Sequence, residues 1–374
     1  MLTAIHTDRA GRIVVAADYG AAALVGEQVR AFEQGIPLPA DARVVPLPDR
    51  DALGIDRQGR PRTLGAGRWA VGAILAPGHI RTRLPACTGA RDDTAPLEAL
   101  GYTAVAAGAD GTLVVAAVPT GEERSPAAPT EAALATAITA GLRAHPSSGV
   151  LRQLARYARD RDGAAAAVFL GRGDAPLPVG GDRTTAADLA DIGIAHLAAG
   201  GSGVTFGLPG DIDPLTRPRV VADAASRIRN AFPSAPIAIR TNAAAAAAIA
   251  RVADAGADRL IVTLASARPE TYERLHPARD VRWPDVRGGI RQAAVSGLPV
   301  TVELLVLPGL TDRSEEVDAL VALLRELPSG SALRLRDLGA DPYRLLLANP
   351  GSEPLGVEAL LARLQAEAPA VGAA

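Results

Sequence analysis

Apolar positions along the chain fall into two textures. From residue 1 to about 120 the apolar runs are short: GRIVVAAD at 11–18, ARVVPLP at 42–48, RWAVGAILAP at 68–77, YTAVAAG at 102–108 and TLVVAAVP at 112–119. Turn-forming residues punctuate them, as they do between strands. Ala109-Asp110-Gly111 separates the last two runs and supplies the positive φ that a tight hairpin needs. An N-terminal β-rich domain is therefore predicted over 1–120. The segment GEERSPAAPTE at 121–131 has the composition of a linker, and Thr130 stands where a helix N-cap belongs. Helical periodicity follows at 131–143 and 149–161, so 121–165 reads as linker and helices.

Beyond residue 180 apolar strands alternate with amphipathic helices, the pattern of a parallel β/α architecture. The strands are SGVTFGL at 202–208, PIAIRTN at 236–242, RLIVTLAS at 259–266, PVTVELLVLPG at 299–309 and ALRLRDL at 332–338, with an earlier one at AAVFLG, 166–171. Helices are predicted over 184–199, 216–231, 243–255, 284–296, 314–327 and 356–367. Five or six such units are too few for a closed eight-stranded barrel. They suit either an open, partial barrel or a doubly wound sheet, spanning 166–374. Both architectures bind ligands at the carboxyl ends of their strands, which gives residues there functional weight.

Composition narrows the chemistry. The 374 residues are 48% hydrophobic, enough for a sizeable core, and the formal net charge is −2 with both signs interspersed. No basic footprint points to nucleic acid or to an anionic membrane surface, so a small-molecule ligand fits better. The first fifteen residues carry early charges and lack the apolar stretch of a secretory signal, and no run of strongly apolar residues is long enough to span a membrane; the expected location is the cytoplasm. The chain has no lysine, which removes Schiff-base and P-loop chemistry. It has one cysteine, Cys87, and five scattered histidines, His6, His79, His145, His196 and His276. Neither a disulfide framework, nor a zinc site, nor a nucleophilic triad is supported.

The order of motifs over 236–342 is more specific than generic β/α texture. IRTNA (239–243) ends one strand, VTLASARPETYERLH (262–276) spans the next and its helix, PDVRGGIRQAAVSGLPVTVELLVLPGLTD (284–312) leads to a turn, and LRDLGADPY (335–343) closes the series. In this order the segment resembles the radical S-adenosylmethionine (radical SAM) superfamily over about 200–345. The N-terminal region with FLGRGDAPLP at 169–178 is similar, less specifically, to members with an N-terminal extension. The resemblance implies an α/β fold of the partial (β/α) barrel type.

It also implies a CxxxCxxC loop after the first barrel strand, because a [4Fe–4S] cluster of this kind takes three thiolates and leaves one iron for SAM. The equivalent stretch, PLPVGGDRTTAADL (176–189), has no cysteine, and Cys87 alone cannot replace three. A degenerate, cluster-free member is expected, with no radical generation. The superfamily's glycine-rich SAM element corresponds to Gly210-Asp211-Ile212-Asp213-Pro214. By resemblance Gly210, Asp211 and Asp213 would meet the SAM amino group, although Ile212 stands where the motif prefers glycine.

Each candidate has a plainer reading beside it. Asp213 before Pro214 also makes a helix N-cap. Arg240 and Asn242 share one side of their strand, and Asn242 lines a site or caps the helix predicted from Ala243. Thr263 and Ser266 end a strand. Glu303, Arg334 and Arg336 are charged positions in otherwise apolar strands; Glu303 facing Arg334 or Arg336 would form either a structural ion pair or a cavity wall. Leu307-Pro308-Gly309 with Thr311 and Asp312 marks a turn that either brings the backbone close to a ligand or only shapes the loop.

Three functions follow. The first is a degenerate radical-SAM-like protein that binds a small molecule, S-adenosylmethionine included, or serves a protein partner as a scaffold. The second is an active cluster-free enzyme using Asp213, Glu303 and Arg336 for acid–base or electrostatic work. In the third the resemblance is β/α texture alone. Polar groups converging on an open pocket would favour an enzyme, and an Ala/Leu-filled interior a scaffold.

Overall fold

The computed structural model describes residues 2–8, 10–75, 78–88, 95–120, 174–177, 179, 184–198, 201–207, 212–276, 281–368 and 372–373. The predicted linker with Thr130, the helices at 131–143 and 149–161 and the strand at 166–171 lie outside these residues.

The first 120 residues form strands throughout: β1 (Thr3–Thr7), β2 (Ile13–Val25), β3 (Gln28–Ala31), β4 (Ile36–Pro37), β5 (Arg43–Asp51), β6 (Leu53–Ile55), β7 (Pro61–Thr63), β8 (Trp69–Ile74), β9 (His79–Arg81), β10 (Leu84–Pro85), β11 (Tyr102–Ala107), β12 (Leu113–Val115) and β13 (Ala117–Pro119). Eleven of them share one antiparallel sheet, and β9 pairs with β13 separately. The predicted hairpin closes where expected, with Ala107 opposite Leu113 and Gly111 at φ 82°. The run at 112–119 breaks at Ala116, whose N–H donates to Ala104. That break lets Ala117–Pro119 leave the large sheet for β9.

The second half builds a parallel sheet of β14 (Asp174–Leu177), β15 (Gly203–Phe206), β16 (Ile237–Thr241), β17 (Arg259–Leu264), β18 (Val300–Val306), β19 (Ala332–Asp337) and β20 (Gly372–Ala373). The described strands lie side by side in chain order, with no reversal among them. A doubly wound sheet would reverse its order at a switch point, so the alternative left open by the sequence resolves to a singly wound, open barrel segment. Its helices are α1 (Ala186–Ala198), α2 (Pro218–Ala231), α3 (Ala246–Asp254), α4 (Pro269–Leu275), α5 (Trp283–Val295), α6 (Ser314–Arg325), α7 (Pro342–Ala348) and α8 (Val357–Glu367).

Strand periodicity sorts the two faces. Ile237 and Ile239 of β16, Leu260, Val262 and Leu264 of β17 and Val300, Val302, Leu304 and Val306 of β18 join Val221, Ile228, Ile249, Ile290, Val317 and Leu360 of the helices in one core. Intervening positions, among them Arg240, Thr263, Glu303, Arg334 and Arg336, therefore point to the other, inner face.

One sequence expectation shifts. The helix predicted from Ala243 begins at Ala246, because Ala243 sits at φ 61°, outside helical space. The alanine run reads as continuous helix, but its first residues complete the turn from β16. Helix α5 presses on that turn: a Cβ at Gly289 would fall on the Ala243 carbonyl, whereas one at the adjacent Gly288 would meet nothing.

The N-terminal sheet is fastened to the upper ends of β18 and β19. Leu24, Leu47, Leu84 and Tyr102 share a core with Leu307, Leu310, Tyr343 and Leu346. Two arginines with 0% exposure cross this boundary. Arg50 donates to Asp341 at 2.8 Å and to the carbonyls of Pro48 and Ala95, with its guanidinium 5.6 Å from the Tyr343 ring centroid. Arg81 donates to the Leu338 carbonyl at 2.6 Å and the Tyr102 carbonyl at 3.3 Å, and lies 3.5 Å from Asp337.

The neighbouring glycines of α5 provide a paired test. Gly289→Ala is expected to lower the unfolding free energy by roughly 1–3 kcal/mol through overpacking, and Gly288→Ala to raise it by up to about 1 kcal/mol through helix propensity, both measured by urea denaturation.

Candidate functional site: a saturated carboxylate on the inner sheet face

The sequence candidates gather into three separate clusters. The first lies on the inner face around Glu303, which is 1% exposed. Arg240, on β16, reaches across β17 and grips both carboxylate oxygens: one guanidinium nitrogen closely on Oε2, the other on Oε1 at 3.2 Å. Arg336 donates its Nε–H to Oε1 at 3.3 Å, and the Thr263 hydroxyl donates to Oε2 at 3.2 Å. Arg334 approaches Oε1 to 3.9 Å. The register explains the convergence, since Thr263 pairs with Glu303 and Glu303 with Arg334 along adjacent strands.

Four donors occupy the roughly four lone-pair directions a carboxylate offers. Burial pushes the Glu303 carboxyl upward, but Arg240, Arg336 and Thr263 outweigh it and hold the group below the usual glutamate range. It is ionised at neutral pH and has no free acceptor direction. Arg336 differs from Arg240 in its freedom: its side chain is 42% exposed against 16%, and it meets Glu303 through Nε rather than through its terminal nitrogens.

Below this cluster on the same face, Arg259 donates to the Thr301 hydroxyl at 2.9 Å and to the Gly330 carbonyl at 3.3 Å, both neutral acceptors. A cavity of about 560 Å³ opens here, lined by Arg259, Ile261, Thr301 and Arg334 with the rim pair Arg229–Asp258.

The second cluster ties loop to loop. Asp213 accepts the Leu215 N–H at 2.8 Å as cap of the short 3₁₀ turn Pro214–Thr216, and also takes the Thr241 hydroxyl and the Asn242 N–H. Its oxygens fasten the turn after β15 to the end of β16. Asn242 spends its side-chain oxygen on the Ala244 N–H at 2.9 Å, a local turn short of the helix start. Gly210 and Asp211 lie outside the described residues.

The third cluster belongs to Ser266. Its hydroxyl donates to Glu316 at 2.5 Å and accepts the Arg268 N–H at 2.9 Å, while Thr271 donates to the other oxygen of Glu316 at 2.6 Å. Glu316, 4% exposed, thus joins α6 to the start of α4. Sequence reasoning passed over Glu316, because an acid in the first turn of an amphipathic helix reads as a surface residue. It passed over Arg50 and Arg81 for a similar reason: nothing local marks a strand arginine as buried.

The Leu307–Asp312 turn adopts the predicted close approach, but to another part of the chain. Gly309, at φ 90°, meets Gly26 in the turn between β2 and β3, and a Cβ at Gly309 would lie 2.7 Å from the Gly26 Cα. Asp312 accepts the Gly309 N–H at 2.7 Å with one oxygen, and the other has no partner among the described residues.

Against this geometry the comparisons with known proteins can be placed. The family model of the radical SAM superfamily matches residues 147–321, just under half the chain. Over that span the chain is similar to the radical SAM superfamily. No curated protein matches. Among solved structures, a domain of pyruvate-formate lyase-activating enzyme from Bacteroides vulgatus is similar at 17% identity and TM-score 0.35, covering 46% of this chain and 98% of that one. A radical SAM methyltransferase from Sphaerobacter thermophilus is similar at 18% identity and TM-score 0.32, covering 48% of this chain and 54% of that one. Methylornithine synthase is similar at 16% identity and TM-score 0.35, with coverages of 51% and 62%. The chain thus spans less than two thirds of the latter two, and at these scores the likeness carries nothing about chemistry.

The donor set of this chain does not fit the superfamily's three-thiolate cluster. Three thiolates cannot come from one cysteine. Cys87 is buried in the N-terminal sheet, where burial pushes its thiol up to about 12 and keeps it protonated. Among the described residues no three His, Cys, Asp or Glu side chains converge as metal ligands. Also among the described residues, no helix is long and apolar enough to cross a membrane.

Asp312 generates a pH-dependent outcome. Burial raises its carboxyl from 3.8 to about 6. The native state then binds the proton more tightly than the unfolded chain, so this group's contribution to stability is greatest below about pH 4. It falls as pH rises toward 6, by roughly 3 kcal/mol in all. Asp312→Asn keeps an acceptor for Gly309 and should lose this slope, so that denaturation curves at pH 4 and 6.5 show the variant gaining on the native protein as pH rises.

Proposed function

We propose that this chain is a cluster-free radical-SAM-type protein that binds a small molecule on the inner face of its parallel sheet and generates no radical. The observation that carries the reading is the Glu303 cluster: a polar, partly open constellation on the inner face, assembled from β16, β17, β18 and β19, with no thiol near it. Binding is a better match for it than proton transfer. A general base needs a free lone pair and a pKa near the working pH, and Glu303 has its acceptor directions filled and its carboxyl held low.

Acid–base work by Asp213 has similarly little support, because that carboxylate is taken up by Leu215, Thr241 and Asn242. Arg336 is the group with capacity left for a ligand. S-adenosylmethionine is the ligand the superfamily brings with it, and it belongs in the test. On this reading the protein works in the cytoplasm, in keeping with a single thiol left unpaired.

Anaerobic reconstitution with ferrous iron and sulfide, followed by metal analysis and incubation with S-adenosylmethionine under reductant, tests the proposal. The expected result is no stoichiometric iron and no 5′-deoxyadenosine. A four-iron complement with SAM cleavage by this chain alone would overturn it. Calorimetric titration with S-adenosylmethionine and S-adenosylhomocysteine, without iron, then reports whether the superfamily's ligand is retained.

A further inference from the structure

We infer that the ligand of the inner face is an oxyanion with two negative charges, of the phosphate-monoester or dicarboxylate class, gripped by the terminal fork of Arg336. The inference rests on the binding reading above and names the chemistry of the molecule bound.

The first support is charge. On this face, among the described residues, Arg240, Arg259 and Arg336 stand against the carboxylate of Glu303, and Arg259 is partnered there by a hydroxyl and a carbonyl. Counted over the described residues, two positive charges are left over with Arg334, 3.9 Å from Glu303, set aside. Guanidiniums crowded onto a concave, partly desolvated surface repel one another, and an anion relieves that repulsion.

The second support is geometry. Glu303 accepts both ends of Arg240 and the Nε of Arg336, so it cannot turn toward the outer Nη nitrogens of Arg336 without surrendering bonds it already makes. Anchored at Nε and 42% exposed, Arg336 presents its two remaining nitrogens as a fixed fork, the shape that meets a carboxylate or phosphate with two parallel hydrogen bonds. Glu303 is thus a positioning residue: it aims Arg336 and touches no ligand.

The same balance discriminates between ligands. S-adenosylmethionine brings a sulfonium and an ammonium along with its carboxylate, and so adds positive charge to a face already in excess. A dianion removes it.

The test uses the full chain with inorganic phosphate, malonate, acetate and S-adenosylmethionine as probes, by calorimetry at constant ionic strength and by the shift of the thermal unfolding midpoint. Phosphate and malonate are expected to bind saturably and more tightly than acetate, and Arg336→Ala and Arg336→Gln each to weaken phosphate at least tenfold. Arg274→Ala, on the outer helix α4, should leave it unchanged. The unfolding midpoint of each variant without ligand separates lost binding from lost fold, and protection of the native protein by phosphate provides a readout that needs no variant. Phosphate binding equal in the native protein and a folded Arg336 variant would overturn the inference, as would no saturable dianion binding at millimolar concentration. S-adenosylmethionine binding that depends on Arg336 and resists phosphate would overturn it too, yet leave the cluster-free reading intact, since that stands on iron and deoxyadenosine.

Discussion

A guanidinium shut away from water is costly unless carboxylate or carbonyl oxygens lie against it, and two such groups tie the N-terminal sheet to the parallel one. Arg50 and Arg81 leave the N-terminal sheet and end among Asp341, Asp337 and the Leu338 carbonyl, at the upper ends of the parallel strands. Removing either partner would strand a buried charge, at a cost of about 3–5 kcal/mol. Around these pairs Leu24, Leu47 and Leu84 close against Leu307, Leu310 and Leu346. The ion pairs fix register and the apolar contacts supply most of the adhesion, the usual division between polar specificity and hydrophobic burial.

On the inner face the stoichiometry is reversed. At the sheet junction each buried arginine lies against its own aspartate, Arg50 by Asp341 and Arg81 by Asp337, whereas Glu303 is shared by Arg240 and Arg336, and Arg259 has no acid among the described residues. Structural ion pairs tend toward neutrality because unbalanced charge is expensive in a poorly solvated setting. A face that departs from neutrality has a reason to meet something of opposite sign. The residues keeping Glu303 ionised also deny it the proton traffic of an acid–base catalyst, so one arrangement argues both for a ligand and against a chemical step at that carboxylate.

The periodic parts of the molecule were legible in the sequence. Strands β15 to β19 and helices α2, α5, α6 and α8 fall within a few residues of their predicted spans, because each buries one face and the alternation records it. Short strands such as β4, β6, β7 and β10 contain two or three residues, too few to show a period. Helix α7 begins on Asp341-Pro342 and runs for seven residues, too short for its periodicity to stand out. At the site, Glu303 and Arg336 stood out as charges in apolar strands. The grip of Arg240 on Glu303, 63 residues away, depends on where β16, β17 and β18 come into register, which local pattern does not encode. Asp213 was readable as a cap through its proline, but the Thr241 and Asn242 bonds that absorb its oxygens belong to tertiary structure.

The meeting of Gly26 with Gly309 bears on how stiffly the halves are joined. Most interfaces adjust through side-chain rotation, which lets one layer slide over another by small torsional moves. Here main chain rests on main chain with no rotamer in between, and Gly309 is itself tethered to Asp312. Any rocking of the β2–β3 turn is therefore transmitted to the loop after β18 as a rigid displacement, which makes this spot a bearing on which the two sheets keep their alignment.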